Sequence, residues 1–274
     1  MTETFPILII GGNGKTGSLV NEALTARGVA TRPVSRSTTP AFDWTDRSTW
    51  DAALAGARAA YVTYQPDLAV PSAVEDIAEL CRRARKAGVE HIVLLSGRGE
   101  VNAQRAEAEL ERSGLAWTIV RSSWFMQNFS QGFMTDGIRA GELALPAGSV
   151  PEPFVDIRDI ADIAVAALTD PRHRGQLYEV TGPRALSFDA AVAGIAQAAG
   201  RPVVYRQITF AEFQAGLEAA GLPPLYVDFF RELFTEVLDG RNVVPANGVE
   251  MALGRAPRGF AEFAAEAAAS GVWS

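Results

Sequence analysis

Between residue 5 and about residue 168 the chain alternates short apolar runs with longer stretches in which apolar residues recur every third or fourth position. The runs cover 6–10, 30–35, 41–44, 59–64, 91–96 and 116–121. They are too short for helices and predict strands. The stretches between and after them, 16–26, 46–55, 71–87, 102–113 and 123–139, predict helices. Strands and helices in alternation predict consecutive βαβ units, hence a parallel sheet covered on both faces. Gly28, Gly56, Gly88 and Gly114 each follow a helical stretch, where a left-handed residue closes the last turn. After Gly141 the alternation loosens. Helical patterns dominate at 187–199, 210–220, 225–239 and 260–269, and strand patterns remain at 177–181 and 203–208. The expected organisation is a sheet domain over 1–150, with 151–182 partly returning to it, and a smaller, mostly helical C-terminal lobe over 183–274.

Composition narrows the function classes. With 274 residues, 48% of them apolar and 21% charged, the chain is globular and long enough to bury a core without metal or disulfide staples. Cys81 is the single cysteine, and His91 and His173 are the only histidines, so a disulfide framework and a structural zinc site are both excluded. A reducing compartment is expected. The formal net charge is −7, and the 25 basic residues, of which only Lys15 and Lys86 are lysines, are scattered along the sequence. That distribution argues against nucleic acid and against a membrane surface and leaves a small molecule as the expected partner. The run at 5–10 is too short for a signal peptide and lacks a basic flank, and no stretch nears the roughly 18 apolar residues of a spanning helix. The expectation is a soluble cytoplasmic protein, monomeric or homodimeric.

Gly11-Gly12-Asn13-Gly14-Lys15-Thr16-Gly17 follows the first run directly and opens a predicted helix. A dinucleotide needs such a loop: a tight turn, backbone free to approach a pyrophosphate, and amides with a helix dipole aimed at its charge. Gly14-Lys15-Thr16 mimics the end of an ATP-binding P-loop, but the upstream glycine of GxxxxGK[ST] is missing. The fold class expected is therefore α/β, with a Rossmann-like doubly wound parallel sheet. No acid lies between Gly28 and Phe42 to bind a ribose 2′-hydroxyl. Arg36, flanked by Ser35 and Ser37, stands where a 2′-phosphate is accommodated, so NADP(H) is expected in preference to NAD(H). The expected cofactor contacts are Gly11, Asn13, Gly14, Lys15, Thr16 and Gly17 in the loop, Arg36 and Ser37, Asp43 and Trp44 near the adenine, Tyr64 and Gln65, and Ser96 with Gly97.

The usual proton-transfer pair of short-chain dehydrogenases is missing. In a Tyr-x-x-x-Lys pair the lysine lowers the tyrosine pKa so that the phenol exchanges a proton with substrate. Tyr61, Tyr64, Tyr178, Tyr205 and Tyr226 all lack a lysine four residues later. Ser96 ends a strand where those enzymes keep their serine, and without a tyrosine it reads as a cofactor contact or a shaper of the loop. There is no GxSxG elbow and no HExxH, His91 opens a strand, and His173 lies in a Pro171-Arg172-His173-Arg174 turn. No catalytic side chain is assigned.

The phosphate loop together with HIVLLS at 91–96, SGLAWTIVR at 113–121, WFMQNF at 124–129, PFVDIRDIA at 153–161, YEVTGP at 178–183 and GRAPRGF at 254–260 resembles the NmrA-like atypical short-chain dehydrogenase/reductase family. The likeness covers nearly the whole chain and is nearest the branch of agroclavine dehydrogenase-like and type 2 quinone reductase-like proteins. It implies NAD(P)H reductases acting on quinones, dyes or imines, alongside non-catalytic redox sensors. Where the quinone reductases tend to carry a Lys or His, this chain reads Val101-Asn102-Ala103-Gln104-Arg105. That departure favours acceptors needing no enzymic acid. Trp124, Phe125, Asn128, Phe154, Tyr226 and Phe230 are expected to wall the substrate. Two readings follow: an NADPH-dependent reductase transferring hydride to a small conjugated or cationic acceptor, and a non-catalytic NADP(H) sensor acting through a protein partner.

Overall fold

The computed structural model describes residues 5–274. In chain order the strands are β1 (Ile7–Ile10), β2 (Thr31–Val34), β3 (Ala59–Val62), β4 (His91–Gly97), β5 (Ala116–Ser122), β6 (Glu142–Leu145), β7 (Gln176–Val180) and β8 (Val204–Gln207). The helices are α1 (Lys15–Ala26), α2 (Trp50–Leu54), α3 (Ser72–Lys86), α4 (Val101–Arg112), α5 (Thr135–Ala140), α6 (Ile157–Thr169), α7 (Phe188–Ala199), α8 (Phe210–Ala219), α9 (Pro224–Glu232), α10 (Gly248–Leu253) and α11 (Phe260–Ala269). Six strands form one sheet in the order β2-β1-β3-β4-β5-β7. β1 pairs in parallel with β2 and β3, β3 with β4, and β4 with β5. The chain starts in the sheet, moves out to β2 and then returns to build the other side, so the winding reverses between β1 and β3. In open α/β sheets a ligand sits outside the carboxyl ends of the strands at that reversal. The Rossmann-like expectation is met.

The chain divides into two compact units. One runs to Ser122 and takes in Arg158–Glu179 and Gly248–Arg255; the other comprises Ser123–Ile157, Val180–Asn247 and Ala256–Ser274. In the first unit β1 and β3 are buried at every position, as strands covered on both faces must be. Leu8, Ile10, Ala60, Val62, Ile92 and Leu94 on the strands share one apolar cluster with Trp50, Ile77, Leu80 and Leu110 on the helices. Gly88 ends the α3 segment at φ 85°, the left-handed turn that its place in the sequence predicts.

The second unit is built around aromatic rings, with β6 and β8 as a separate parallel pair. Phe154 lies 5.3 Å from Phe129, 5.1 Å from Phe188 and 5.9 Å from Phe260 between ring centroids. Trp273 is fully buried there, its Nε1 donating to the Phe129 carbonyl at 2.8 Å. α7 starts at Ser187, whose hydroxyl accepts from the Ala190 amide, and ends on Gly200 at φ 64°.

Two expected elements are absent. Residues 41–44 make no strand; a single bridge joins Asp43 to Asp46, and Phe42 and Trp44 instead turn their rings onto Trp50 at 5.5 and 5.3 Å. The helix expected over 123–139 is also missing. The Trp124 carbonyl, which in a helix would accept from the amide four residues on, instead accepts from the Val155 amide at 2.9 Å, while the Ser123 and Met126 amides donate to the Val180 and Val155 carbonyls, so this backbone is committed to distant segments. Only a 3₁₀ turn at Met126–Phe129 and the short α5 remain helical there. The pattern expected over 225–239 is α9 running into a π-helical turn at Leu233–Val237. β6, α6 and α10 were not anticipated.

At the start of β4 lies a buried polar chain. His91 Nε2 is 3.0 Å from Thr118 Oγ1, which donates to the His173 carbonyl at 2.7 Å, and His173 Nδ1 is 2.7 Å from the Tyr178 hydroxyl. Thr118 has one hydrogen and gives it to the carbonyl, so His91 must donate through Nε2–H. No described helix is long and apolar enough to cross a membrane.

Candidate functional site

The carboxyl end of β1 opens into Gly11–Gly17, and the glycines there are present for different reasons. Gly11 has φ 79°, and a Cβ on it would fall 2.1 Å from Thr63 Oγ1. At Gly12 a Cβ would meet Pro33 Cβ at 2.5 Å, and at Gly17 it would meet the Gly11 carbonyl oxygen at 2.2 Å. The fold itself demands these three. Gly14 is different: it is exposed, has φ −82°, and its Cβ would meet only the Gly11 carbonyl oxygen at 3.1 Å. It is the N-cap of α1, with no side-chain cap and no acidic residue in the first helical turn. The exposed N-cap thus leaves a surface stripped of Cβ at the positive end of the α1 dipole, which fits a pyrophosphate. Lys15 and Thr16 begin the helix, and burial lowers the Lys15 pKa below the ordinary lysine value.

Beside the loop, at the end of β2, Asn13 Nδ2 donates to Ser35 Oγ at 3.0 Å, and the Ser35 and Ser37 hydroxyls are 3.1 Å apart. Arg36 is exposed in the same turn. Trp44 and Tyr64 lie 4.5 Å apart between ring centroids, and Trp44 Nε1 donates to the Thr63 carbonyl at 3.1 Å. Asp43 accepts from the Thr45 amide and hydroxyl at 2.9 and 2.8 Å, which fixes the turn carrying Trp44. The Tyr64 hydroxyl donates to Asp76 Oδ2 at 2.7 Å, and Gln65 is exposed one residue on. Ser96 and Gly97 end β4. All the expected cofactor residues thus belong to the first unit, at the ends of β1 to β4.

The expected substrate residues all belong to the second unit. Trp124 packs against Phe188 at 5.5 Å and Phe234 at 5.3 Å. Phe154, 1% exposed, is a core ring there, enclosed by the aromatic neighbours given above. Phe230 is likewise mostly buried, with Phe133 at 4.9 Å and Phe213 at 5.6 Å. Phe125, Asn128 and Tyr226 are half-buried.

The sequence reading missed an ionic chain behind β4 and β5. Ser96 Oγ donates to Glu107 Oε1 at 2.6 Å, and Arg121 Nε donates to the same oxygen at 3.0 Å while its Nη2 contacts Oε2. Arg121 Nη1 reaches Glu179 Oε1 at 3.1 Å, and Arg98 Nε reaches Glu179 Oε2 at 3.2 Å. The Glu107 carboxylate raises the Arg121 pKa still further above its ordinary value. Glu107 reads in sequence as one more acid on a charged helix, and only the Ser96–Arg121 register brings the group together.

Comparison with known proteins adds the following. The model of the NmrA-like family matches residues 3–252. An NAD(P)H azoreductase of Xenophilus azovorans is 35% identical over 97% of this chain and 99% of its own. Agroclavine dehydrogenase of Claviceps fusiformis is 28% identical over 95% of this chain and 96% of its own. An NADPH-dependent quinone oxidoreductase of Escherichia coli, solved with NADPH, superposes with a TM-score of 0.79 at 20% identity, covering 95% of this chain and 99% of that one. That last likeness is one of fold.

Proposed function

The chain belongs to the NmrA-like family, and on that premise we propose that it is an NADPH-dependent reductase delivering hydride to a small conjugated or cationic acceptor, iminium or quinone-like. The relatives are named for NAD(P)H or dehydrogenase chemistry, which supports a nicotinamide cofactor. The observation that carries the reading is the bare, open face at Gly14 beside the Asn13–Ser35–Ser37 cluster and Arg36. The loop from Gly11 to Gly17 would hold the pyrophosphate, Arg36 with Ser37 a 2′-phosphate, and Trp44 with Tyr64 the adenine. When bound, the reduced nicotinamide supplies the hydride, both electrons included. An acceptor carbon that is already cationic becomes neutral on receiving it, so no side chain need supply a proton. What the chain contributes is orientation and a fixed electrostatic surround.

Arg36→Ala should weaken NADPH binding roughly tenfold or more, the loss of one charge-assisted contact, and leave NADH nearly unchanged. Titration of the variant with both cofactors tests this; equal losses would remove the 2′-phosphate assignment. A second expectation concerns pH. Burial pushes the His91 pKa down to about 4 and the Cys81 thiol up to about 12, and burial also lowers His173. Neither His91 nor Cys81 then changes charge between about pH 6 and 9, where ordinary carboxylates and arginines are already ionised, and His173 is moved away from that range. Single-turnover reduction of an N-alkyl iminium salt at saturating NADPH should therefore be flat over that range. A bell-shaped profile would reveal an acid or base on the protein. Binding of NADPH with no oxidation across quinones, triarylmethane dyes and N-alkyl iminium salts would replace the reductase by the sensor.

A further inference from the structure

Ser96 and Glu107 are each 3% exposed, and Ser96 stands opposite Arg121 in the β4–β5 register. An ionised carboxylate has no hydrogen to give, so the 2.6 Å contact commits the single Ser96 hydroxyl hydrogen to Glu107 and leaves the oxygen able only to accept. The Arg121 guanidinium, on both oxygens of Glu107, holds that carboxylate in place. Through Glu179 and Arg98 the same charges join the ends of β4, β5 and β7, and the Arg98 amide donates to the Ser122 carbonyl at 2.9 Å. Buried ion pairs of this kind add little stability compared with apolar packing; their best-supported use is to fix one geometry. What lies at this geometry is the end of β4. The phosphate and adenosine residues occupy the ends of β1, β2 and β3, and a dinucleotide laid across the winding reversal brings its other half to β4.

We propose that Glu107, clamped by Arg121, is a positioning residue for the nicotinamide half of the cofactor: it fixes Ser96 with its hydrogen turned inward, so that the Ser96 hydroxyl meets a bound ring as a hydrogen-bond acceptor and not as an acid. This rests on the reductase reading and narrows it. Simple ketones, whose reduced oxygen needs a proton at once, would get none from Ser96, whereas iminium and quinone-like acceptors need none from it.

The test compares NADPH with 2′,5′-ADP, which has the adenosine and phosphate half alone, by calorimetric titration of Glu107→Gln, Ser96→Ala and the double variant. Glu107→Gln should weaken NADPH roughly tenfold while 2′,5′-ADP stays within about twofold, and the second substitution should add less than about twofold once the first is present. The solvent isotope effect on single-turnover oxidation of NADPH by an N-alkyl iminium should be close to unity in the native protein and in Ser96→Ala. Equal weakening of both ligands would reduce the ionic chain to a structural brace. Multiplying losses in the double variant would uncouple Glu107 from Ser96, and a native isotope effect that vanishes in Ser96→Ala would make the serine a proton donor; any of these overturns the proposal. If Glu107→Gln fails to fold, Ser96→Ala decides alone, through its NADPH against 2′,5′-ADP ratio and its isotope effect. Native protein that binds neither ligand contradicts the reductase reading itself, a different failure from any of these.

Discussion

Gly14→Val should give a folded protein that has lost NADPH binding by on the order of a hundredfold or more, the equivalent of two charge-assisted contacts to phosphate. The fold tolerates a side chain there because Gly14 has φ −82° and its Cβ direction is open apart from the Gly11 carbonyl oxygen at 3.1 Å, which must yield by a few tenths of an ångström. Valine also makes a poor N-cap, so a stability loss of about 1 kcal/mol is expected, small for a domain of this size. The ligand has no such tolerance. Isopropyl branches at the mouth of α1 stand between the helix amides and any anion, and the close approach is lost. Gly17→Val serves as the contrast: its Cβ would lie 2.2 Å from the Gly11 carbonyl oxygen, so that variant should fail by unfolding. Circular dichroism separates the two cases, and a folded Gly14→Val that keeps native NADPH affinity would show the loop to be only a turn.

Acid should destabilise the protein by about 3 kcal/mol through His91 alone as pH falls from about 6.5 to about 4. Burial is the main cause of the depressed His91 pKa, with the charges of Arg174 and His173 adding to it. An imidazole whose pKa is lower in the folded chain than in the unfolded one binds fewer protons when folded, so protons favour unfolding. Above pH 6.5 both states are neutral there and the effect is absent; below about 4 both are charged and it no longer grows. His173 shifts in the same direction for the same reason and steepens the slope. In His91→Gln, which keeps a donor for Thr118, Tm should fall less between pH 7 and 4.5 than in the native protein. Parallel profiles would mean that His91 is already protonated, or hydrated, in the native state.

How much of this could be read in the sequence depends on how far each element's partners lie along the chain. β1 and β3 are unbroken apolar runs beside glycine turns, and each is legible alone because it is buried at every position. Residues 123–139 have helical composition, yet Ser123 and Met126 give their amides to Val180 and Val155, and nothing local announces partners so distant. Phe42 and Trp44 imitate a strand because alternating aromatics do so whether they face a sheet or, as here, a neighbouring Trp50. The site divides the same way. Gly11 to Gly17 and Arg36 follow a strand at fixed spacing and were visible. Glu107 was not, since its meaning comes from Arg121 fourteen positions later and from Ser96 on the neighbouring strand.

The first unit is assembled from three separate stretches of chain, and this bears on the order in which the protein is made. β7 is added to the sheet after Ser123–Ile157 of the other unit has been synthesised, and α10 only after Val180–Asn247 as well. Gly248 then fits where a side chain would strike the Glu179 carbonyl at 2.1 Å, so this late arrival docks against an edge that was itself late. A nascent chain stalled before residue 248 therefore exposes an unfinished first unit however long it waits. No single genetic crossover between relatives exchanges one unit whole and leaves the other whole, and a workable chimaera needs junctions at all five passages of the chain.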